Sequence, residues 1–359
     1  MKNRDLLIRI IYPFMGLLVV LGILALIYNF RPVDDDDSIS VGVVFIGDTN
    51  DRGWNESHYK GIVKACLDES CKIYTKLGVP EEEEPLKDAV ADLVKSGCSC
   101  IFLTSYGYGQ YVNGIAKNYP KVAFYDISGG GTTHNSMSYF ARMYQARYLA
   151  GIVAGAASKS NVLGYVTAAP VSETIRSIDA YALGARKANP SARVVVRYTG
   201  SWDDREKEER AVRELSDAGA DVITFHEDRP YAVDLADKMG LFTTGYNYVH
   251  GDYSERFLTA ALINWDIIYE KVMNDYFSGR ANFWDDYWMG ISDDAVSLYP
   301  CSELVTEETK ELVAAEEERI KTWRDVFSGE IYDNEGRRRC GKDERISDEE
   351  LFDRLDWYV

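Results

Sequence analysis

The chain has 359 residues, 46% of them hydrophobic and 13% aromatic, enough to bury the cores of two lobes of ordinary domain size and too apolar for a disordered tail. Forty Lys and Arg against 58 Asp and Glu leave a net charge of -18. A field of that sign repels nucleic acid and anionic lipid surfaces, so nucleic acid is excluded as a partner.

Residues 1–37 read as a membrane anchor and acidic linker. Lys2, Arg4 and Arg9 precede an uncharged stretch over 10–30, about the ~20 residues a helix needs to cross a bilayer, and four Asp follow at 34–37. Basic residues before the stretch and acidic ones after it predict a single-pass transmembrane helix, with everything from about Arg31 onward extracytoplasmic. A cleaved signal peptide is the alternative. No small-x-small site closes the run and no Cys follows it to carry a lipid, which favours the uncleaved anchor.

Beyond the linker, apolar β-prone runs alternate with amphipathic helical stretches. Strands are predicted at 40–48, 72–78, 99–105, 121–127, 161–168, 192–200, 221–228 and 240–247. Helices are predicted at 55–69, 85–96, 144–158, 174–189, 204–218 and 229–239. Continuous Val, Ile and Phe runs joined by helices indicate parallel strands covered on both faces, an α/β doubly wound architecture. The pattern occurs twice. The economical reading is two α/β lobes across a hinge: 38–143 with a return segment at about 248–285, and 144–247 with about 286–335. The tail, 336–359, differs in composition, and a short helix is plausible at 347–357.

Ligands of open parallel sheets bind beyond the carboxyl ends of the strands, so the loops after each strand carry the functional reading. They are rich in aromatic and hydrogen-bonding residues: "GDTNDRGWN", "SYGYGQY", "YDISGGG", "TGSWDD", "HEDRPY" and "GYNYVHGDY". Trp54 and Trp202 are placed to project into the cleft from opposite lobes and sandwich a flat ring, with neighbouring carboxylates and amides reading its polar edge. With seven Trp and 25 Tyr, several loop aromatics must simply cover lobe surfaces. Tyr106, His226 and Asp228 are the further candidates. His58 falls on the first helix, near the cleft mouth.

No GxSxG, GxxxxGK[ST] or HExxH pattern occurs, and no catalytic residue or cofactor is assigned. Six cysteines in an oxidising compartment could pair in part, and Cys301 with Cys340 would staple the tail to the second half. Cys98 and Cys100 read as buried thiols at least as readily as metal ligands, so no metal is assigned. The acidic runs at 81–84 and 316–319 read as solvated surface.

The segments "DRGWNESHYKGI" (51–62), "YQARYLAGIVAGAASKSNVLGYVTAAPVSETIRSIDAYALGARKANP" (144–190), "WDDREKE" (202–208), "AGADVITFHED" (218–228) and "GLFTTGYN" (240–247) resemble the basic membrane protein (BMP) family of solute-binding proteins, over roughly residues 40 to 335. The resemblance implies the two-lobed periplasmic-binding-protein fold, type I, and delivery of a purine nucleoside or related ligand to an ABC transporter permease. The family's D-x-S-F-N motif stands here as Asp51-Arg52-Gly53-Trp54-Asn55, with Trp54 in the place of the stacking Phe and Trp202 at the second stacking position. Asp51 and Asn55, with Asp48 beside them, stand where the resemblance implies edge contacts to a base. An Asp-rich turn that grips ribose hydroxyls in nucleoside-binding members is replaced by Gly245-Tyr246-Asn247, which shifts the expectation towards a free purine base or another small heteroaromatic. Tyr246 and Asn247 complete the candidate site. A membrane-anchored ligand sensor and, less favoured, a nucleoside-processing enzyme are the alternative functions.

Overall fold

A computed structural model describes residues 39–69, 71–127 and 133–359. The stretch predicted to cross the membrane lies outside them. Among the described residues no helix is long and apolar enough to cross a membrane.

Among the described residues, twelve strands build two six-stranded sheets. In chain order they are β1 (Ser40–Val44), β2 (Lys72–Lys76), β3 (Cys100–Leu103), β4 (Ala123–Ile127), β5 (Ser136–Ala141), β6 (Val162–Thr167), β7 (Arg193–Tyr198), β8 (Val222–His226), β9 (Phe242–Asn247), β10 (Phe257–Ile263), β11 (Tyr287–Met289) and β12 (Val296–Leu298). The first sheet runs β11-β5-β4-β3-β1-β2 and the second β12-β10-β9-β8-β6-β7. Every neighbouring pair is parallel except β10 with β12. The two sheets therefore repeat one strand order, as the doubled sequence pattern predicts.

The central strands are apolar throughout because both faces are covered: Val41 to Val44 and Cys100 to Leu103 are wholly buried. The helix Glu83–Lys95 buries Leu86, Ala89, Val90 and Leu93, a spacing that puts one stripe against the sheet. The helix Met143–Ala157 is covered almost all round, and small residues allow this. A Cβ on Gly151 would lie 2.2 Å from the Tyr181 carbonyl oxygen, and one on Gly184 2.0 Å from that of Tyr148. The backbones of the helices Met143–Ala157 and Ser172–Ala188 touch there, which accounts physically for the small-residue wording of the 144–190 block.

Two segments depart from the lobes read from sequence. Residues 248–285 were expected to return to the first lobe, yet β10 joins the second sheet beside β9. The helix Trp265–Phe277 does pack on the first half, where the Trp265 ring stacks on His58 and Met273 meets Cys66. Conversely β11, inside the segment 286–335 expected in the second lobe, pairs with β5 of the first sheet. The chain thus passes between the sheets after β5, between β10 and the helix Trp265–Phe277, and between β11 and β12. Short return strands carry too few residues for periodicity to reveal their partner.

Cys301 and Cys340 are both free thiols and form no staple. The tail is held by other means. Arg176 donates to the carbonyls of Leu351 (3.1 Å) and Phe352 (3.0 Å), Arg142 binds Asp348, and the Val359 N–H donates to Asp179 at 3.1 Å.

Candidate functional site

Both sheets end at one cavity of about 250 Å³. Its lining comes from the carboxyl ends of strands and the loops after them: Ile46 after β1, Glu81 after β2, Ser105 and Tyr106 after β3, and Ile127 at the end of β4, with Trp54 heading the first helix. The second sheet supplies Glu173, the Ser201 to Asp203 loop, His226 to Asp228, and Tyr246. This is the position that parallel-sheet geometry favours, because the strand ends leave a crevice and helix N-termini point towards it.

Trp54 and Trp202 both line this cavity, one from each half. The Trp54 indole is held from behind: its N–H donates to the Thr104 carbonyl at 2.7 Å, and its ring meets His58 and Trp265 edge-on at 4.6 and 5.5 Å. Trp202 is half-buried, with its ring centre 6.2 Å from that of His226. The loop carrying it is tied to the next by a 2.9 Å bond from the Asp228 N–H to the Trp202 carbonyl.

His226 and Tyr246 form the floor. Their rings lie 4.2 Å apart, and the Arg147 guanidinium sits over the Tyr246 ring, 4.3 Å from its centre. Arg147 is wholly buried and donates to Thr224 Oγ1 (3.1 Å) and the Phe225 carbonyl (2.6 Å). Burial lowers the pKa of His226 against the opposing pull of Glu173, whose Oε1 is 3.4 Å away, so the imidazole is neutral near pH 7.

The rim is acidic. Glu81 accepts from Ser105 Oγ (2.5 Å) and the Gly107 N–H (2.6 Å), and Asp203 pairs with Arg229 at 3.0 Å. Glu227 accepts from Thr199 Oγ1 at 2.8 Å through one oxygen only. Burial, reinforced by the charge of Glu208, pushes the Glu227 carboxyl up to about 10. Burial likewise raises Asp228, with Asp51, Asp203 and Glu81 adding to the effect.

The first-loop residues close the two halves on each other. The Trp54 N–H donates to the Asp228 carbonyl at 2.9 Å, and a Cβ on Gly53 would sit 1.9 Å from that same oxygen. Arg52 pairs with Asp234 at 2.8 Å and donates to the His250 carbonyl at 3.2 Å.

Of the residues expected from sequence, Trp54, Tyr106, Trp202, His226, Asp228 and Tyr246 meet at the cavity. Asp51, Asn55, Asn247 and Asp48 lie outside its lining. Asp51 caps the first helix, accepting from the N–H groups of Gly53 (2.9 Å), Asn55 (2.8 Å) and Glu56 (2.9 Å) and from the Asn55 amide (2.8 Å). The helix start consumes this carboxylate, because its first N–H groups have no other acceptor. Asn55 Oδ1 in turn accepts from the Gly47 N–H at 3.3 Å. Asn247 donates to Ser57 Oγ (2.8 Å) and accepts from Trp265 (3.0 Å), bridging the second sheet to the first helix. Asp48 is exposed. His58 is wholly buried under Trp265 and bonded to the Tyr269 hydroxyl at 2.7 Å, not at the cleft mouth.

Glu81, Ser105, Glu173, Ser201, Asp203 and Glu227 line the cavity without having been singled out. Glu81 opens the 81–84 run read as solvated surface, and only 82–84 are exposed. In the other run Glu316 is buried, accepting from the Tyr148 hydroxyl at 2.7 Å. Glu81, Ser201 and Asp203 follow predicted strands and Glu227 lies at the end of one, which was the available signal.

Comparison with known proteins decides the family. The pattern of the family described as ABC transporter substrate-binding protein, PnrA-like, matches residues 38–328. The chain belongs to this Bmp family. Its members are substrate-binding proteins, not enzymes. A Bmp relative from Haloferax volcanii, provisionally named the ABC transporter glucose-binding protein TsgA13, is 31% identical over 331 residues, covering 90% of this chain and 80% of its own. A purine-binding protein of Brucella abortus is 30% identical over 330 residues, covering 90% and 93%. An ABC transporter solute-binding protein from Aeropyrum pernix has the same fold, with a TM-score of 0.68 at 18% identity over 79% of this chain and 91% of its own.

Proposed function

We propose that this Bmp-family protein captures a flat heteroaromatic solute, a purine base or nucleoside-like molecule, between its two halves outside the cytoplasmic membrane and presents it to an ABC importer. The observation that carries this reading is the pair of indoles, Trp54 and Trp202, that reach one cavity from separate sheets. Aromatic faces reward a planar π-system beyond simple area burial, by about 0.5–1.5 kcal/mol per well-placed pair. Carboxylates around them accept the N–H groups of a base. The purine-binding name of the Brucella relative supports the same class. Tethering through residues 10–30 follows from their uncharged length and flanking charges.

Isothermal titration of residues 38–359 with adenine, hypoxanthine, adenosine, guanosine and glucose tests the proposal. A purine or its nucleoside is expected to bind one-to-one and to be recovered unchanged. Glucose binding with every purine silent would overturn it.

A further inference from the structure

The cavity contains five carboxylate side chains, Glu81, Glu173, Asp203, Glu227 and Asp228, and no Lys or Arg in its lining. Three of the five are answered by protein groups: Glu81 by Ser105 and the Gly107 N–H, Glu173 by His226, and Asp203 by Arg229. Arg147 is outside the lining, over the Tyr246 ring and bonded to Thr224 and the Phe225 carbonyl. The remaining two are adjacent in sequence. Glu227, 2% exposed, has one oxygen on Thr199 and the other, Oε2, without a partner. The Asp228 carboxylate has no hydrogen bond or ion pair among the described residues, while its backbone is fixed at both ends by Trp54 and Trp202.

Burial without a close cation keeps both carboxyls protonated, Arg229 only partly offsetting this at Asp228, and a cation bound beside them favours their charged form. Trp54, Trp202 and Tyr106 line the cavity beside them, and aromatic rings attract cations, tryptophan most strongly. The net charge of -18 adds a long-range field of the matching sign. We infer that the solute is an aromatic organic cation, its ring between Trp54 and Trp202 and its positive charge answered by Asp228 and Glu227. This rests on the heteroaromatic reading above and narrows it to charged members of that class.

Titration in mildly acidic buffer, where the guaninium keeps its N1 proton, with pairs that differ by one N-methyl group and one charge tests the inference: 9-methylguanine against 7,9-dimethylguaninium, and nicotinamide against 1-methylnicotinamide, with adenine as the neutral reference. The expected result is at least about tenfold tighter binding of the cation in a pair that binds. Asp228→Asn and, separately, Glu227→Gln, both near-isosteric, are expected to shrink that gap below about threefold. Binding of adenine or a neutral partner as tightly as any cation overturns the charge assignment and leaves the heteroaromatic reading standing. If no purine or pyridine compound binds, both fall. A cation preference unchanged in both variants would overturn the roles given to the two carboxylates.

Discussion

The Trp54 N–H and the Asp228 carbonyl oxygen are 2.9 Å apart, joining the loop after β1 in the first sheet to the loop after β8 in the second. The bond lies at the cavity edge, and each partner's side chain is part of the cavity wall. The contact between the two halves and the wall of the site are therefore one construction, and a ligand that needs both walls favours the form in which this bond is made.

Gly53 is what permits that approach. Its missing Cβ would stand 1.9 Å from the Asp228 carbonyl oxygen, a backbone atom that cannot swing aside. Gly53→Ala is expected to hold the halves apart and weaken ligand binding by about 10- to 1,000-fold, the loss of one buried hydrogen bond plus roughly 1–3 kcal/mol of overpacking. Small-angle scattering with and without ligand checks the cause, since the variant should fail to contract.

Trp54→Ala and Trp202→Ala should each cost at least about tenfold in affinity, roughly 1.4 kcal/mol. Trp54→Phe separates two contributions, because it keeps a ring but loses the 2.7 Å bond to the Thr104 carbonyl. Its loss is expected to fall between wild type and Ala. Full affinity in both Ala variants by titration calorimetry would remove the sandwich.

The Arg52–Asp234 pair crosses the halves at 2.8 Å, but Arg52 is 40% exposed. Exposed pairs contribute about 0–1 kcal/mol and are screened by salt. Arg52→Ala should weaken binding by less than about fivefold in dilute buffer, and the difference from wild type should vanish near ~1 M salt, where the Debye length is about 3 Å.

Glu208 is wholly buried, and burial raises its carboxyl to about 9. In the unfolded chain it ionises above its usual value of about 4.5. Between these values the unfolded state gains by losing a proton that the folded state keeps, so stability present below pH 4.5 is lost progressively as pH rises towards 9. Glu208→Gln lacks this slope. Urea unfolding at pH 5 and pH 8 should show the variant gaining on wild type by at least about 1.4 kcal/mol across that range, the equivalent of one pKa unit.

Much of the fold is written in local pattern. The Val- and Ile-rich runs of β1, β3, β6 and β8 and the helices between them are legible because a strand buried on both faces must be apolar along its length. The strand ends and the loops that follow, with His226 at the first and Trp54, Trp202 and Asp228 beyond, are found from that pattern alone. The sheet membership of β10 and β11 is not, because short return strands carry no mark of which sheet they join.

Sequence by itself determined the doubled α/β chassis, the strand-end loops and the family to which the chain belongs. Only the tertiary structure decided which polar groups in those loops remain for a ligand. Asp51, Asn55 and Asn247 look as suitable as Asp228 in one dimension, yet the first three are consumed by a helix cap and an interlobe bridge. Glu81, by contrast, is drawn out of an acidic run to the cavity edge by Ser105 and the Gly107 N–H, about 25 residues away along the chain. Hydrogen-bond capacity is finite and short-ranged, so whether a carboxylate is spent depends on neighbours that folding brings from elsewhere in the chain.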